Sequence, residues 1–183
     1  MRFDAVEYLF KWKEKKVFPL IHSNITNIAL STLKGKRGID VCCSHGLLGT
    51  KLMSLGFKMI GVEENEKIIN LSKENLIPLP IIQLKIHPST FTQFFNVVKE
   101  HKADFFVMRR CLPELFGSDL NNGRNFFNLA AQNGINEIIL EGRVKTVNAT
   151  NQLSSIDAEV DLLAQSYTVY KKYGSVAYLK VKT

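Results

Sequence analysis

The sequence lacks long apolar runs. None of its apolar runs approaches the roughly 20 consecutive residues that a membrane-spanning helix needs. The amino-terminal segment MRFDAVEYLFKWKEKK has an apolar part that is too short, and too interrupted by charge, for a secretory signal. We therefore expect a cytoplasmic protein that makes no contact with a membrane.

Cysteine is also scarce, since the chain contains only Cys42, Cys43 and Cys111. An odd count with two adjacent members does not make a disulfide framework, which is typical of a reducing compartment. The sequence has no C-x-x-C pair and its histidines are scattered along the chain. The pattern therefore predicts no zinc or other metal site.

Acidic residues are outnumbered, 17 against 24 lysines and arginines, so the net charge is +7. The excess is concentrated in residues 1–37, which hold eight basic and three acidic residues. Such a region is typical of a surface that binds a phosphate-rich partner. We expect either a nucleic-acid partner for this basic amino-terminal region or an ordinary lysine-rich surface in contact with water.

Apolar runs alternate with amphipathic segments along the chain, which predicts an α/β fold. Five runs have the length of buried strands and are separated by helix-like segments, which indicates a parallel sheet with right-handed crossovers. Two later runs, joined by Tyr173-Gly174, are close enough to form an antiparallel hairpin. The predicted strands are residues 38–43, 59–62, 81–86, 103–108, 135–140, 167–172 and 175–182.

Helices are predicted before the first strand and between the strands, and all 183 residues are expected to form a single domain. Residues 1–37 include two of these helices and are a candidate lid or contact surface. Residues 109–123 are predicted to be a loop. The predicted helices are residues 4–16, 23–33, 46–55, 65–75, a segment capped by Ser89, 124–133 and 155–165.

The turn after the first strand is built from small residues. It reads Asp40-Val-Cys-Cys-Ser-His-Gly46, and small side chains let the backbone bend sharply and approach a ligand. The helix that follows offers free backbone N–H groups. Glu63 ends the second strand 17 residues after Gly46, a spacing at which an acid can accept both hydroxyls of a ribose. A loop-bracing role for Asp40 and a solvated surface position for Glu63 are the alternatives.

The span GIDVCCSHGLLG…MIGVEEN resembles the first two motifs of the class I S-adenosylmethionine-dependent methyltransferases. In that family an acidic residue at the end of the first strand is followed by alternating glycines. Asp40 matches the acid and Gly46 the third glycine, whereas Cys42 and Ser44 stand where the first two glycines would be. Glu63 matches the ribose-binding acid.

This resemblance implies a fold and a cofactor. The fold would be a three-layer αβα sandwich around a mostly parallel seven-stranded sheet of order 3-2-1-4-5-7-6, with an antiparallel carboxy-terminal hairpin. The cofactor would be S-adenosylmethionine, and Glu64 would lie where its adenine edge is approached. The implied cofactor-binding residues are Asp40, Cys42, Ser44, Gly46, Glu63 and Glu64.

The candidate catalytic or substrate-binding residues are Arg109, Glu114 and Glu141, which follow the fourth and fifth predicted strands. In the resembling family the substrate-facing motif lies after strand four. Arg109, Arg110 and Glu114 could hold an anionic substrate or shape the methyl-acceptor pocket, since an arginine offers a planar fork to carboxylate or phosphate. Glu141 could act as a base or a substrate ligand. The alternative for the arginines and Glu114 is an arginine–glutamate pair that braces the long loop. The alternative for Glu141 is a satisfied charge at the rim.

Three further residues are candidates at the strand ends. Cys111 could be a nucleophile but is more typical of buried packing. His45 could face a ligand or point to solvent, and His87 is more typical of a turn than of an adenine contact. The chain lacks the Asp/Asn-Pro-Pro-Tyr/Phe motif of the enzymes that methylate exocyclic nitrogens of nucleic acids.

Two functions from different classes follow. The first is a small S-adenosylmethionine-dependent methyltransferase, with a nucleic acid among the candidate acceptors. The second is a non-catalytic binding module on a degenerate methyltransferase fold, which the two replaced glycines and the missing acceptor motif favour. An enzyme that uses the same cofactor in another way is a third reading.

Overall fold

Seven strands form one sheet in the part of the chain that the computed structural model describes, which is residues 17–142, 153 and 155–182. The order is β3-β2-β1-β4-β5-β7-β6, as predicted. The pairs among β1 to β5 are parallel, and β7 is antiparallel to both β5 and β6. The strands are β1 Arg37–Val41, β2 Lys58–Glu63, β3 Ile81–Gln83, β4 Phe105–Arg109, β5 Glu137–Glu141, β6 Tyr167–Tyr173 and β7 Val176–Val181.

Helices cover both faces of this sheet. A short 3-10 turn, Pro88–Thr90, precedes α4. Among the described residues no helix is both long enough and apolar enough to cross a membrane. The helices are α1 Val17–Thr32, α2 Leu47–Ser54, α3 Glu66–Glu74, α4 Phe91–His101, α5 Leu112–Phe116, α6 Leu120–Gln132 and α7 Ile156–Leu163.

The central strands are apolar on both sides because both faces are buried. On one face Ile39, Phe106 and Ile138 pack against the phenylalanines of α4 and α6. Phe126 is in contact with several aromatic rings there, including Phe106 at a centroid distance of 6.2 Å. The other face packs against apolar residues of α1 and α2. The helix phenylalanines are therefore core residues.

The interval after β4 differs from its prediction. Residues 109–123 were predicted to be a loop, but they contain α5 and the start of α6. Asp119 caps α6, since its carboxylate accepts a hydrogen bond from the Asn121 N–H at 2.9 Å. Gly123 resembles a loop residue in the sequence but lies inside α6. The position requires glycine because a Cβ there would stand 2.8 Å from Leu162 Cδ2. Close packing of α6 against α7 explains that glycine.

Three smaller boundaries were also wrong. Helix α1 begins at Val17 rather than at Ser23, and β3 ends at Gln83 rather than at residue 86. The turn before α4 is capped by His87 rather than by Ser89, whose own N–H donates to the His87 ring. The predicted helix 4–16 lies outside the described residues.

Candidate functional site

The loop after β1 contains three left-handed residues in alternation. The backbone angle φ is 55° at Cys42, 51° at Ser44 and 74° at Gly46. Glycine adopts this conformation freely, whereas other residues adopt it at a cost of roughly 1–2 kcal/mol. These are the three positions at which the resembling family has glycines. The backbone conformation is therefore present although two of the glycines are not.

Asp40 links this loop to α2. The side chain is 2% exposed, and its Oδ2 accepts a hydrogen bond from the Gly49 N–H at 2.9 Å. A Cβ at Gly49 would lie 2.7 Å from Leu79 Cδ2 and 3.1 Å from that oxygen, so the close approach requires glycine. Burial raises the pKa of Asp40 to about 7, against the lowering effects of the Gly49 bond and of Arg109. Asp40 thus braces the loop through the Gly49 N–H.

Glu63 lies half-buried at the end of β2 and holds the same loop. Its Oε2 accepts from the Ser44 N–H at 3.0 Å, and its Oε1 accepts from the N–H groups of Glu64 and Asn65, each at 3.0 Å. A carboxylate has about four lone-pair sites, so about one acceptor site is left. The Glu64 side chain is exposed on the same turn.

Arg109, Arg110 and Glu141 form a charged cluster at the ends of β4 and β5, which we call the arginine cluster. The Glu141 side chain is fully buried. Its Oε2 lies 2.6 Å from Arg109 Nε and its Oε1 lies 2.8 Å from Arg110 Nε. Glu141 is therefore a carboxylate that both arginines contact, and Glu114 lies exposed on α5. Glu141 is consequently an interior charge and not one at the rim.

The backbone at Arg110 explains how two adjacent arginines reach one carboxylate. Successive side chains of a strand point to opposite faces of the sheet. Arg110 has a left-handed φ of 52°, which turns the chain directly after β4. Its N–H also donates to the Glu141 carbonyl oxygen at 2.7 Å. The turn thereby lets both guanidinium groups reach the Glu141 carboxylate.

The arginine cluster lies on the same face of the sheet as Asp40. Alternation along the strands places Asp40, Arg109 and Glu141 on the face that α1 and α2 cover. His22 of α1 also lies near Arg109. Burial, together with the positive charges of Arg109 and Lys51, lowers the pKa of His22 to about 4. The sequence gives no signal for His22, because it lies 18 residues before Asp40 on a separate helix.

The remaining candidates have structural positions. His45 is 1% exposed, with Nδ1 3.2 Å from Ser44 Oγ, so the solvent-facing reading was wrong. Interaction with the Cys111 thiol, together with burial, raises the pKa of Cys42. Cys111 is buried as expected. His87 is exposed in a plain turn.

Solved structures with this architecture are known, whereas no family model and no curated protein matches the sequence. The N-methyltransferase NodS from Bradyrhizobium japonicum WM9, solved with S-adenosyl-L-homocysteine, has a TM-score of 0.66 at 11% identity. The match covers 94% of this chain and 91% of NodS. The chain has the class I methyltransferase fold.

Two other structures share this methyltransferase fold. The TehB-like SAM-dependent methyltransferase from Corynebacterium glutamicum ATCC 13032 Kitasato has a TM-score of 0.63 at 12% identity, over 97% of this chain and 98% of the other. The bifunctional kinase-methyltransferase WbdD has a TM-score of 0.66 at 16% identity over 93% of this chain. The chain spans about two fifths of the length of WbdD, since the match covers 41% of it.

Proposed function

We propose that this chain is an S-adenosylmethionine-dependent methyltransferase. The observation that carries the proposal is the loop after β1, in which Cys42, Ser44 and Gly46 are all left-handed and Glu63 holds the Ser44 N–H. Non-glycine residues in strained conformations persist where the surrounding structure fixes them, and such residues concentrate at functional sites. The fold places this loop at the carboxyl edge of β1, where open α/β sheets bind ligands.

The residues present fit this cofactor. The N-cap residue Gly46 has no capping side-chain bond, and Asp40 takes the Gly49 N–H, so the N–H groups of Leu47 and Leu48 and the preceding left-handed loop suit a carboxylate. The remaining acceptor site of Glu63 suits a ribose hydroxyl, and Glu64 is exposed where the adenine edge would lie. Cys42 and Ser44 would flank the cofactor beside Gly46, and Asp40 would hold their loop through Gly49.

The cofactor, when bound, supplies a methyl group that its sulfonium has already activated. The protein then needs chiefly to orient an acceptor and to exclude water. The ends of β4 and β5 provide the groups for this, namely Arg109, Arg110 and the exposed Glu114. Glu141 is fully buried between two guanidinium groups, so we assign it the positioning of those arginines rather than proton abstraction.

Calorimetric titration with S-adenosylmethionine and S-adenosylhomocysteine tests the proposal. We expect binding with a Kd on the order of micromolar. Glu63→Gln should weaken it, and Glu66→Gln on the exposed part of α3 is the matched control. An absence of heat at millimolar ligand would reject the methyltransferase proposal and favour a binding module without cofactor.

The acceptor is sought by transfer of a labelled methyl group to nucleic acids, proteins and small molecules. We keep nucleic acid in this screen because of the basic amino-terminal region. The described part of that region includes Lys34, Lys36 and Arg37, which lie at the amino end of β1. That end is separated from the cofactor loop by the length of β1, about 16 Å for five residues. A nucleic acid bound at these basic residues would therefore contact the amino ends of the strands, opposite to the end where the loop lies.

A further inference from the structure

We propose that the outer edge of the Arg110 guanidinium group binds an anionic group, a carboxylate or a phosphate, on the methyl acceptor. This inference rests on the proposed function, and it narrows the acceptor to molecules that carry such a group close to the methylated atom. Arg110 would then determine which acceptors bind.

The Arg110 guanidinium group is held through Nε, on the inner edge, and its outer edge, which carries the two Nη nitrogens, faces the surface. Its Nε lies 2.8 Å from Glu141 Oε1, and the side chain is 39% exposed. Within residues 17–142, 153 and 155–182, Glu141 is the group that this side chain contacts through a hydrogen bond or an ion pair. An arginine held in this way keeps its two Nη nitrogens for a second anion, and the planar fork suits the two oxygens of a carboxylate or phosphate.

Arg110 is the more exposed of the two arginines in the arginine cluster. Arg109 and Arg110 share the single carboxylate of Glu141. Asp40 also interacts electrostatically with Arg109, the more buried of the two arginines. Arg110 lies on the outer side of the cluster, so its excess positive charge faces the surface.

The position of Arg110 relative to the cofactor loop makes this anion part of the acceptor. Strands β1 and β4 are neighbours, with Val41 opposite Met108, so the residues that follow them are neighbours too. Cys111 Sγ lies 3.8 Å from the Val41 carbonyl oxygen, so the segment after β4 touches the end of β1. A molecule held by Arg110 therefore lies beside the loop that we assign to the methyl donor.

Nuclear magnetic resonance of the arginine Nε–H groups provides a direct test. The Arg110 signal is assigned as the one that disappears in Arg110→Lys, and inorganic phosphate is titrated at constant ionic strength into protein saturated with S-adenosylhomocysteine. We expect the Arg110 signal to shift with saturation in the millimolar range, as a single charge-assisted site would give. The Arg124 signal is the control, because Arg124 lies on α6 with its Nη1 bonded to Asn121 Oδ1 at 3.0 Å.

Three variants measure the contribution of Arg110. Arg110→Ala should weaken phosphate binding by roughly tenfold or more, and Arg110→Lys should weaken it less, since a lysine keeps the charge but loses the fork. Arg110→Gly relieves the left-handed backbone, so it separates loss of binding from misfolding. Arg124→Ala should leave phosphate binding unchanged.

Three outcomes would overturn the inference. Phosphate that binds Arg110→Ala as tightly as the unchanged protein would remove Arg110 from the site. A loss of S-adenosylhomocysteine affinity in Arg110→Ala would assign Arg110 to the carboxylate of the cofactor instead of the acceptor. If the unchanged protein does not bind S-adenosylhomocysteine, the proposed function fails. A phosphate titration without that ligand then shows whether an anion site at Arg110 exists apart from methyl transfer.

Discussion

Replacing Asp40 with asparagine should change how the stability of the protein depends on pH. Burial raises the pKa of this carboxyl from 3.8 to about 7 in the folded chain. Between these two values the folded protein binds the proton more readily than the unfolded chain does. The stability that protonated Asp40 contributes is therefore complete below pH 4 and is lost as the pH rises through 7.

The magnitude follows from the two pKa values. A difference of about three pKa units corresponds to about 4 kcal/mol of unfolding free energy over this pH range. The asparagine side chain would not titrate, and its amide oxygen can still accept the Gly49 N–H. Relative to the unchanged protein, Asp40→Asn should therefore gain stability steadily from pH 4 to pH 8.

His22 opposes this trend, and comparing the two proteins removes its effect. Its pKa is lowered to about 4, so it costs stability as the pH falls from 6.5 towards 4. Because His22 is present in both proteins, it cancels in their difference. Urea unfolding at pH 5, 6, 7 and 8 and constant ionic strength measures that difference. Parallel pH profiles for the two proteins would refute the reasoning that Asp40 is buried with a raised pKa.

Three further changes test other parts of the site. Glu63→Gln should weaken binding of S-adenosylhomocysteine by roughly tenfold or more, the scale of a lost charged hydrogen bond, and calorimetry showing an unchanged Kd would remove Glu63 from the site. Ser44→Gly should be more stable than Ser44→Ala by about 1 kcal/mol in urea unfolding, because both variants lose the hydroxyl and only glycine relieves the left-handed φ. Equal stabilities of the two variants would argue against that conformation. His22→Gln should abolish the loss of stability between pH 6.5 and 4 that His22 causes, and a thermal-unfolding profile still identical to that of the unchanged protein would contradict burial of the ring beside Arg109.

Much of the fold could be predicted because its signals are local. Strands β1, β4 and β5 are short apolar runs bounded by polar or small residues, and their alternation with helices indicates parallel pairing. The interval after β4 could not be predicted equally well. Gly123 is a turn residue by propensity, and only the tertiary contact with Leu162 shows why a helix contains it.

Part of the candidate site could likewise be predicted from local sequence signals, and part could not. The positions of Asp40, Gly46 and Glu63 follow from their spacing relative to the first two strands. The pairing of Glu141 with Arg109 and Arg110 does not, because it joins residues about 30 apart through the register of β4 and β5. Glu114 lies closer in sequence, but the helix α5 places it on the surface.

Cys42 and Ser44 keep a left-handed backbone although they replace glycines. Residue type alone argues against the left-handed conformation at these two positions. It therefore favours the hypothesis of a non-catalytic binding module on a degenerate methyltransferase fold. The backbone there is nevertheless fixed from several sides, since Cys43 N–H donates to Val62 O at 3.0 Å and Gly46 N–H donates to Cys43 O at 2.9 Å. Glu63 adds a third bond, to the Ser44 N–H. These bonds offset a left-handed strain of roughly 1–2 kcal/mol at each of the two residues, so the loop keeps its shape without the residues that usually provide it.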